Sequence, residues 1–454
     1  MTSKMRIMSI LLIILVAFSA FAGGGSQSSG SASGKVTLRV FYYLEATAPN
    51  AVADANLWFG TFEKNNPNVT INRENLFDEA FHDKLRTYAA AGNLPDVMYV
   101  WPSGRSGYLH DQGLLKNLTP LINRDGIKGD YLPLTMDPSQ QNSGYIAMIP
   151  QGITTTHAFF INNEVLRDCG LQPAKTYAEL KAQVPVLRAK GYETVIIPAQ
   201  SDWVMQSCLF SMVAGRFCGP GWEDKMHGGQ TKFTDPDFVN ALTFIKTLYD
   251  DGVIQKSAVG IDYGEGPGLF ANNKSAYYID GDWRAGAFIT DSSTGQALIS
   301  PAKQNNIQIG VFPDIPGAKI NSSSSVILGV GYGMASSIPT GSAKEAAAWE
   351  LIKFLTGKEV SQRRTETGGT PTPSRVDLDF NAMKLEPIQK AIAALGNTFT
   401  TATSVIDGVF ADPVYLPINT GLIEIAMGTR TPQQVAADVQ RAFDTLKASG
   451  KSTR

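Results

Sequence analysis

Apolar and polar positions alternate along residues 36–43 (VTLRVFYY), a run rich in β-branched and aromatic side chains, and this predicts a strand. Residues 51–65 carry apolar side chains at helical spacing and end in Asn-Asn-Pro. A second strand is predicted over 69–73 and a second helix over 78–91. That helix has Phe81, Leu85 and Tyr88 on one face and is closed by Gly92. Residues 96–101 (DVMYVW) predict a third strand, entered through Pro95. Strand, helix, strand, helix, strand implies parallel pairing and an α/β fold. The alternation continues. Strands are predicted at 157–161, 194–197, 275–279 and 307–312, and helices from 163 and over 177–190, 236–250, 343–355, 386–395 and 431–447. The last helix is capped by Thr431-Pro432. The serine tetrad 322–325 reads as a loop or a strand edge.

The N-terminal stretch has a different pattern. Lys4 and Arg6 precede the short apolar run 7–21, and Ala20-Phe21-Ala22 has the small-x-small form of a cleavage site. The expectation is a signal peptide over 1–22 and a flexible linker over 23–34 (GGGSQSSGSASG). The apolar run is shorter than the roughly 20 residues that span a bilayer core. With no cysteine near the cleavage point, the expected product is a free periplasmic protein without a lipid anchor.

Composition narrows the function. The chain has 454 residues, enough for two or three domains, and is 43% hydrophobic and 18% charged, which excludes a disordered chain. Lys+Arg 39 against Asp+Glu 41 leaves a net charge of −2 with no basic run, so a nucleic-acid partner is not expected. The four histidines are scattered. No Gly-x-Ser-x-Gly, HExxH or Walker loop occurs, and Gly329–Gly333 lacks the spacing of a dinucleotide fingerprint. Cys169, Cys208 and Cys218 match no zinc pattern, and a Cys208–Cys218 bridge stays open as a possibility.

Two features carry candidate chemistry. The carboxylate pairs Asp78/Glu79 and Asp280/Asp282 are of the kind a glycoside hydrolase uses. Tryptophans also stand beside polar residues just past three strands: Trp101-Pro102-Ser103-Gly104, Asp202-Trp203 and Asp280-Gly281-Asp282-Trp283-Arg284. In open α/β sheets, ligands bind beyond the carboxyl ends of strands. An indole face beside a carboxylate suits a sugar, which offers C–H surface to one and hydroxyls to the other.

Short motifs along most of the chain resemble one family. They are Lys84-Leu85 with Ala89-Ala90-Ala91-Gly92 and Leu94-Pro95-Asp96-Val97; the Gly113–Thr119 turn (GLLKNLT); Phe159–Glu164 (FFINNE); Pro173–Leu180 (PAKTYAEL); Phe270 with Asn273-Lys274-Ser275-Ala276 and Gly281-Asp282-Trp283; and Lys344–Gly357. Together they resemble the extracellular solute-binding proteins of sugar-importing ABC transporters, the group that includes the maltose-binding protein. Tyr177 replaces the family's Trp and Asn273 its Gly.

The resemblance implies an α/β, two-lobed periplasmic-binding-protein fold (type II-like). Lobe one is expected over 35–153 plus 330–371, and lobe two over 154–329 plus 372–454. It implies a monomer that binds a mono- or oligosaccharide by hinge closure near Gly152, Gly329 and Gly369 and delivers it to the transmembrane subunits of an ABC permease. No cofactor, metal or catalytic residue is implied. The expected sugar-contacting residues are Tyr43, Glu45, Asp78, Trp101 and Ser103 from lobe one and Trp203, Asp282, Trp283 and Tyr415 from lobe two, with Tyr332 at a crossover. Glu79 and Asp280 are alternatives to their neighbours. The competing readings are an exported glycan-active enzyme using Asp280 or Asp282, and a binding protein for a polyamine, metal or phosphonate.

Overall fold

A computed structural model describes residues 34–102, 104–141 and 143–454. The expected signal peptide, nearly all of the expected linker, and Ser103 lie outside the described residues. The strands run in chain order as β1 (Val36–Tyr43), β2 (Val69–Leu76), β3 (Val97–Val100), β4 (Met148–Pro150), β5 (Ile153–Thr155), β6 (Ala158–Asn162), β7 (Glu193–Ile196), β8 (Ser275–Asp280), β9 (Ile307–Gly310), β10 (Ser323–Leu328), β11 (Gly331–Met334) and β12 (Thr401–Thr403). The first sheet has the order β2-β1-β3-β11-β4 and the second β7-β8-β6-β9. A small third sheet, β12-β10-β5, is built from crossing segments.

The expected parallel pairing holds for β1 with β2 and β3, and for β7 with β8. The other pairs in these two sheets, β11 with β3 and β4 and β6 with β8 and β9, are antiparallel. Strand β2 runs three residues past its predicted end, since it pairs with β1 along the whole length, Val36 with Val69 through Tyr43 with Leu76. Each main sheet has its own apolar core. Phe41, Phe81 and Leu85, and separately Trp349, Ile352 and Leu355, pack on the first; Phe159, Tyr277 and Ile245 pack on the second. The molecule is thus two α/β lobes.

The chain crosses between the sheets at 150–158, and again between β9 and β11. The crossings lie backbone to backbone. Gly329 donates to the Gly152 carbonyl at 2.8 Å, and Ile153 to the Thr372 carbonyl at 2.8 Å. A Cβ on Gly152 would sit 2.1 Å from the Thr372 carbonyl oxygen, so only glycine fits there.

One expectation changes here. Of the serine tetrad, only Ser322 stays outside a strand, in a bend. Ser323–Ser325 lie in the middle strand of the third sheet, fully buried. Their hydroxyls are bonded: Ser324 Oγ donates to the His157 carbonyl (2.8 Å), Ser325 Oγ pairs with Thr156 Oγ1 (2.7 Å), and Ser323 Oγ accepts from Arg216 Nε (3.3 Å). Buried hydroxyls with partners are stable in a strand. Tyr415 lies in the helix Asp412–Met427, which continues through Pro417. Cys169, Cys208 and Cys218 are all free thiols.

Candidate functional site

The carboxyl ends of five strands converge on one cavity of about 320 Å³. Past β1 come Leu44 and Glu45, past β2 Phe77 and Asp78, and past β3 Trp101. The second sheet contributes Trp203 beyond β7, and Asp282, Trp283 and Arg284 beyond β8. Tyr43, Glu45, Asp78, Trp101, Trp203, Asp282 and Trp283 therefore share one wall system, as the strand-end argument expects.

Two expected residues are elsewhere. Tyr332 is 1% exposed in β11, between β3 and β4, and its hydroxyl accepts from Arg364 Nη2 at 3.2 Å. A central strand points this side chain into packing between sheet and helices, not into the cleft. Tyr415 is also 1% exposed. It packs in the core of the second lobe and beneath Gly104, where an added Cβ would come 3.0 Å from Tyr415 Cε1. Neither lines the cavity.

The aromatic walls are interlocked. Trp101 meets Tyr43 edge to face with centroids 5.1 Å apart. Trp203 lies 4.9 Å from Tyr263 and 6.2 Å from Trp283. Trp283 Nε1 donates to the Tyr263 hydroxyl at 2.6 Å. Gly281 serves this arrangement, though not through an unusual turn: its φ is −85°. The Trp283 ring folds back over its backbone, and a Cβ there would lie 2.2 Å from the indole.

The carboxylates hold protein groups. Asp78, at φ 53°, precedes the helix Glu79–Ala90. Its carboxylate reaches across the cleft and accepts from Ser201 Oγ (2.8 Å) and Trp203 Nε1 (3.0 Å). Glu45 accepts from Arg284 Nη1 at 3.1 Å, again across the cleft. At the rim, Asn50 donates its backbone N–H to Asp291 Oδ2 (2.9 Å), and its side-chain oxygen accepts from the Ser292 N–H (2.8 Å). Asp280 is fully buried, away from the cavity wall. It accepts from Tyr278 (2.7 Å) and Tyr263 (3.2 Å) hydroxyls, the Gly281 N–H (2.8 Å) and Arg284 Nε (2.9 Å). Glu79, the other alternative, pairs with Arg105 at 2.8 Å. Arg105 also faces Asp407 at 3.4 Å.

Asp282 has a different partner from the one the sequence suggests. Its Oδ2 accepts from the Thr155 N–H at 2.8 Å, which ties the loop after β8 to the crossing strand β5. Burial pushes its carboxyl up to about 7, against the pull of the Thr155 and Trp283 backbone N–H groups. The folded state therefore binds a proton that the unfolded chain, titrating near 4, has released. For this group, stability is greatest below about pH 4, falls as pH rises toward 7, and is flat above. Asp282→Asn keeps an acceptor for Thr155 and removes the slope. Its advantage in melting temperature over the wild type should grow from pH 4 to pH 8, reflecting up to roughly 4 kcal/mol. Parallel melting curves across that range would show that Asp282 does not titrate there.

Sequence reasoning missed Tyr263, Arg284, Gln151, Arg364 and Phe77, all on the cavity wall. Arg284 stands inside the Asp280–Arg284 run, and a cation beside two aspartates was its signal. Burial works against its charge, but Tyr263, Asp280 and Glu45 hold its proton firmly. Its guanidinium also lies 4.0 Å over the Tyr263 ring. Tyr263 carries no local signal in a loop of glycines and acids.

Two α/β lobes with an aromatic cleft at their strand ends define a protein of the solute-binding class. The chain belongs to the bacterial extracellular solute-binding protein family, whose sequence pattern matches residues 43–362. It is 21% identical over 381 residues to the multiple sugar-binding protein of Streptococcus mutans serotype c (strain ATCC 700610 / UA159), covering 80% of this chain and 81% of that one. Among solved structures, a chitin oligosaccharide binding protein superposes with a TM-score of 0.80 at 22% identity, covering 91% of this chain and 99% of the other. A structure from work on xylan utilization by the thermophilic bacterium Caldanaerobius polysaccharolyticus gives a TM-score of 0.78 at 21% identity, covering 89% and 99%. Among the described residues no helix is long and apolar enough to cross a membrane.

Proposed function

We propose that this protein binds a saccharide in the cavity between its lobes and delivers it to the transmembrane subunits of an ABC importer, as an exported periplasmic monomer. The observation that carries the reading is the convergence of Trp101, Trp203, Trp283, Tyr43 and Tyr263 on one cavity alongside Asp78, Glu45 and Arg284. Indole and phenol faces cover the C–H surface of a sugar ring, and the polar groups fix its orientation. The sugar-binding and chitin-oligosaccharide-binding relatives add support.

Binding works by closure. The lobes divide at 35–153 plus 330–371 and 154–329 plus 372–454, and hinge at the close-packed crossings around Gly152, Gly329 and Gly369. The bonds from Asp78 to Ser201 and Trp203, and from Glu45 to Arg284, are made only when the lobes meet. A ligand that touches both walls favours that closed form, and the permease reads the closed shape. The carboxylate pairs are poorly placed for hydrolysis: Asp280 is sealed under Arg284, and Asp282 is bonded to Thr155. These bonds support a reading without bond cleavage.

A melting-temperature screen over neutral and charged oligosaccharides tests this. A ligand at 100 times its Kd adds about 2.7 kcal/mol of stability. The expected result is a rise with at least one saccharide, together with a smaller radius of gyration by small-angle scattering. No rise with any saccharide, and a rise with a polyamine or metal instead, would transfer the site to another ligand class.

A further inference from the structure

Asn50 joins the two lobes outside the ligand cavity. Its backbone N–H donates to Asp291 Oδ2 (2.9 Å) and its Nδ2 to the Thr290 carbonyl (3.1 Å), while its Oδ1 accepts from the Ser292 N–H (2.8 Å) and hydroxyl (2.5 Å). The residue is 4% exposed. Neither Asn50 nor residues 290–292 line the cavity, although Pro49 and Ala51 on either side of Asn50 do. Asn50 precedes the helix Ala51–Asn65, where an Asn side chain ordinarily accepts from the N–H groups of the first turn. Here it makes no such bond, and the residue sits in the left-handed region at φ 63°, ψ −15°. The side chain forgoes the local bond for those across the cleft. Both ends are anchored on their own lobes. Trp58, Phe59 and Phe62 of the helix pack in the core of the first lobe. On the other side, the Thr290 N–H donates to Glu386 Oε1 at 3.0 Å, and Asp291 and Gln296 close their turn backbone to backbone at 2.8 Å. Asp291 Oδ1 accepts from the Ser293 and Thr294 N–H groups, both at 2.9 Å, which leaves Oδ2 for Asn50. A carboxylate of one lobe thus meets the N-terminus of a helix of the other, where the helix dipole favours negative charge.

We infer that Asn50 is a positioning residue for ligand retention: it latches the closed lobes at the rim and sets how long a ligand stays bound without touching it. This rests on the closure reading above, and not on which sugar is bound. When the lobes part, the groups of the latch are bonded to water instead, so the latch contributes only the net difference between the two sets of bonds. A ligand meets the open form and is held once the lobes close over it. Stabilising the closed form therefore slows escape and leaves the encounter unchanged.

The test is stopped-flow tryptophan fluorescence of the full chain with maltotriose, xylotriose, cellobiose and N,N′-diacetylchitobiose as neutral probes. Asn50→Gly removes the side chain at a φ that glycine adopts freely, so the backbone is not strained. For the probe that binds most tightly, dissociation should speed up by roughly tenfold and association should change by less than about twofold. Ser292→Ala, on the exposed turn of the other lobe, removes one bond of the latch and should speed dissociation by roughly two- to fivefold. The double variant should release the probe no faster than Asn50→Gly alone, since the same bond cannot be lost twice. Unchanged dissociation in Asn50→Gly, an effect carried by association, or additive effects in the double variant would overturn the latch and leave the saccharide reading intact. If no probe binds, the saccharide reading fails, and small-angle scattering of the free proteins judges the latch: Asn50→Gly should have the larger radius of gyration, and equal radii would overturn it.

Discussion

Arg284→Met is expected to destabilise the protein by about 3–5 kcal/mol, the range for breaking a buried ion pair from one side. Arg284 is 2% exposed and Asp280 is fully buried, so neither can turn to water when its partner is lost. The remaining donors to Asp280 are two phenols, one backbone N–H and the Cys208 thiol, all neutral, which leave its charge uncompensated. Glu45 loses its cross-cleft partner in the same step, and Tyr263 loses the guanidinium packed over its ring. The measurement is urea denaturation of both proteins. Adding Asp280→Asn to Arg284→Met removes the stranded charge and should recover a large part of the loss. No recovery in the double variant would mean that lost packing, rather than the stranded carboxylate, sets the cost.

Trp283→Ala should weaken saccharide binding by at least tenfold. Truncating an aromatic anchor commonly costs ~2 kcal/mol or more, roughly thirtyfold in affinity. The indole is only partly buried, lies over the Gly281 backbone, and is held by its N–H bond to Tyr263, so it offers the ligand a fixed face. Because part of the ring also packs against the core of the second lobe, some fold stability goes with it. That loss should be less than the ~3–5 kcal/mol of a fully buried tryptophan. Titration and melting on the same variant separate the two roles. Normal affinity with a sharply lowered melting point would remove Trp283 from the binding face.

The frame of both lobes was legible because it rests on local pattern. The alternation of 36–43, the helical steps of Phe81, Leu85 and Tyr88, and the tryptophans just past strand ends are all read over a few residues. What was not legible depends on long-range pairing. Tyr332 looks like a crossover residue, but the insertion of β11 between β3 and β4 buries it. Asp282 looks like an acceptor for hydroxyls, but it meets the backbone of Thr155, 127 positions away in sequence. Tyr415 is followed by a proline that ordinarily argues against a helix, yet the core of the second lobe carries the helix through it. Tyr263 joins the aromatic wall because its loop packs against residues beyond β7 and β8, which nothing near it in sequence announces.

The central claim is that a saccharide sits against the tryptophans of this cavity. Its most direct test is a titration of the wild-type protein with the neutral oligosaccharide panel, followed by intrinsic tryptophan fluorescence. At least one member should give a saturable shift or quench with a single-site isotherm, since Trp101, Trp203 and Trp283 all line the cavity. Saturable binding of a saccharide, seen by calorimetry, that leaves the tryptophan emission unchanged would contradict the account by placing the sugar elsewhere on the protein.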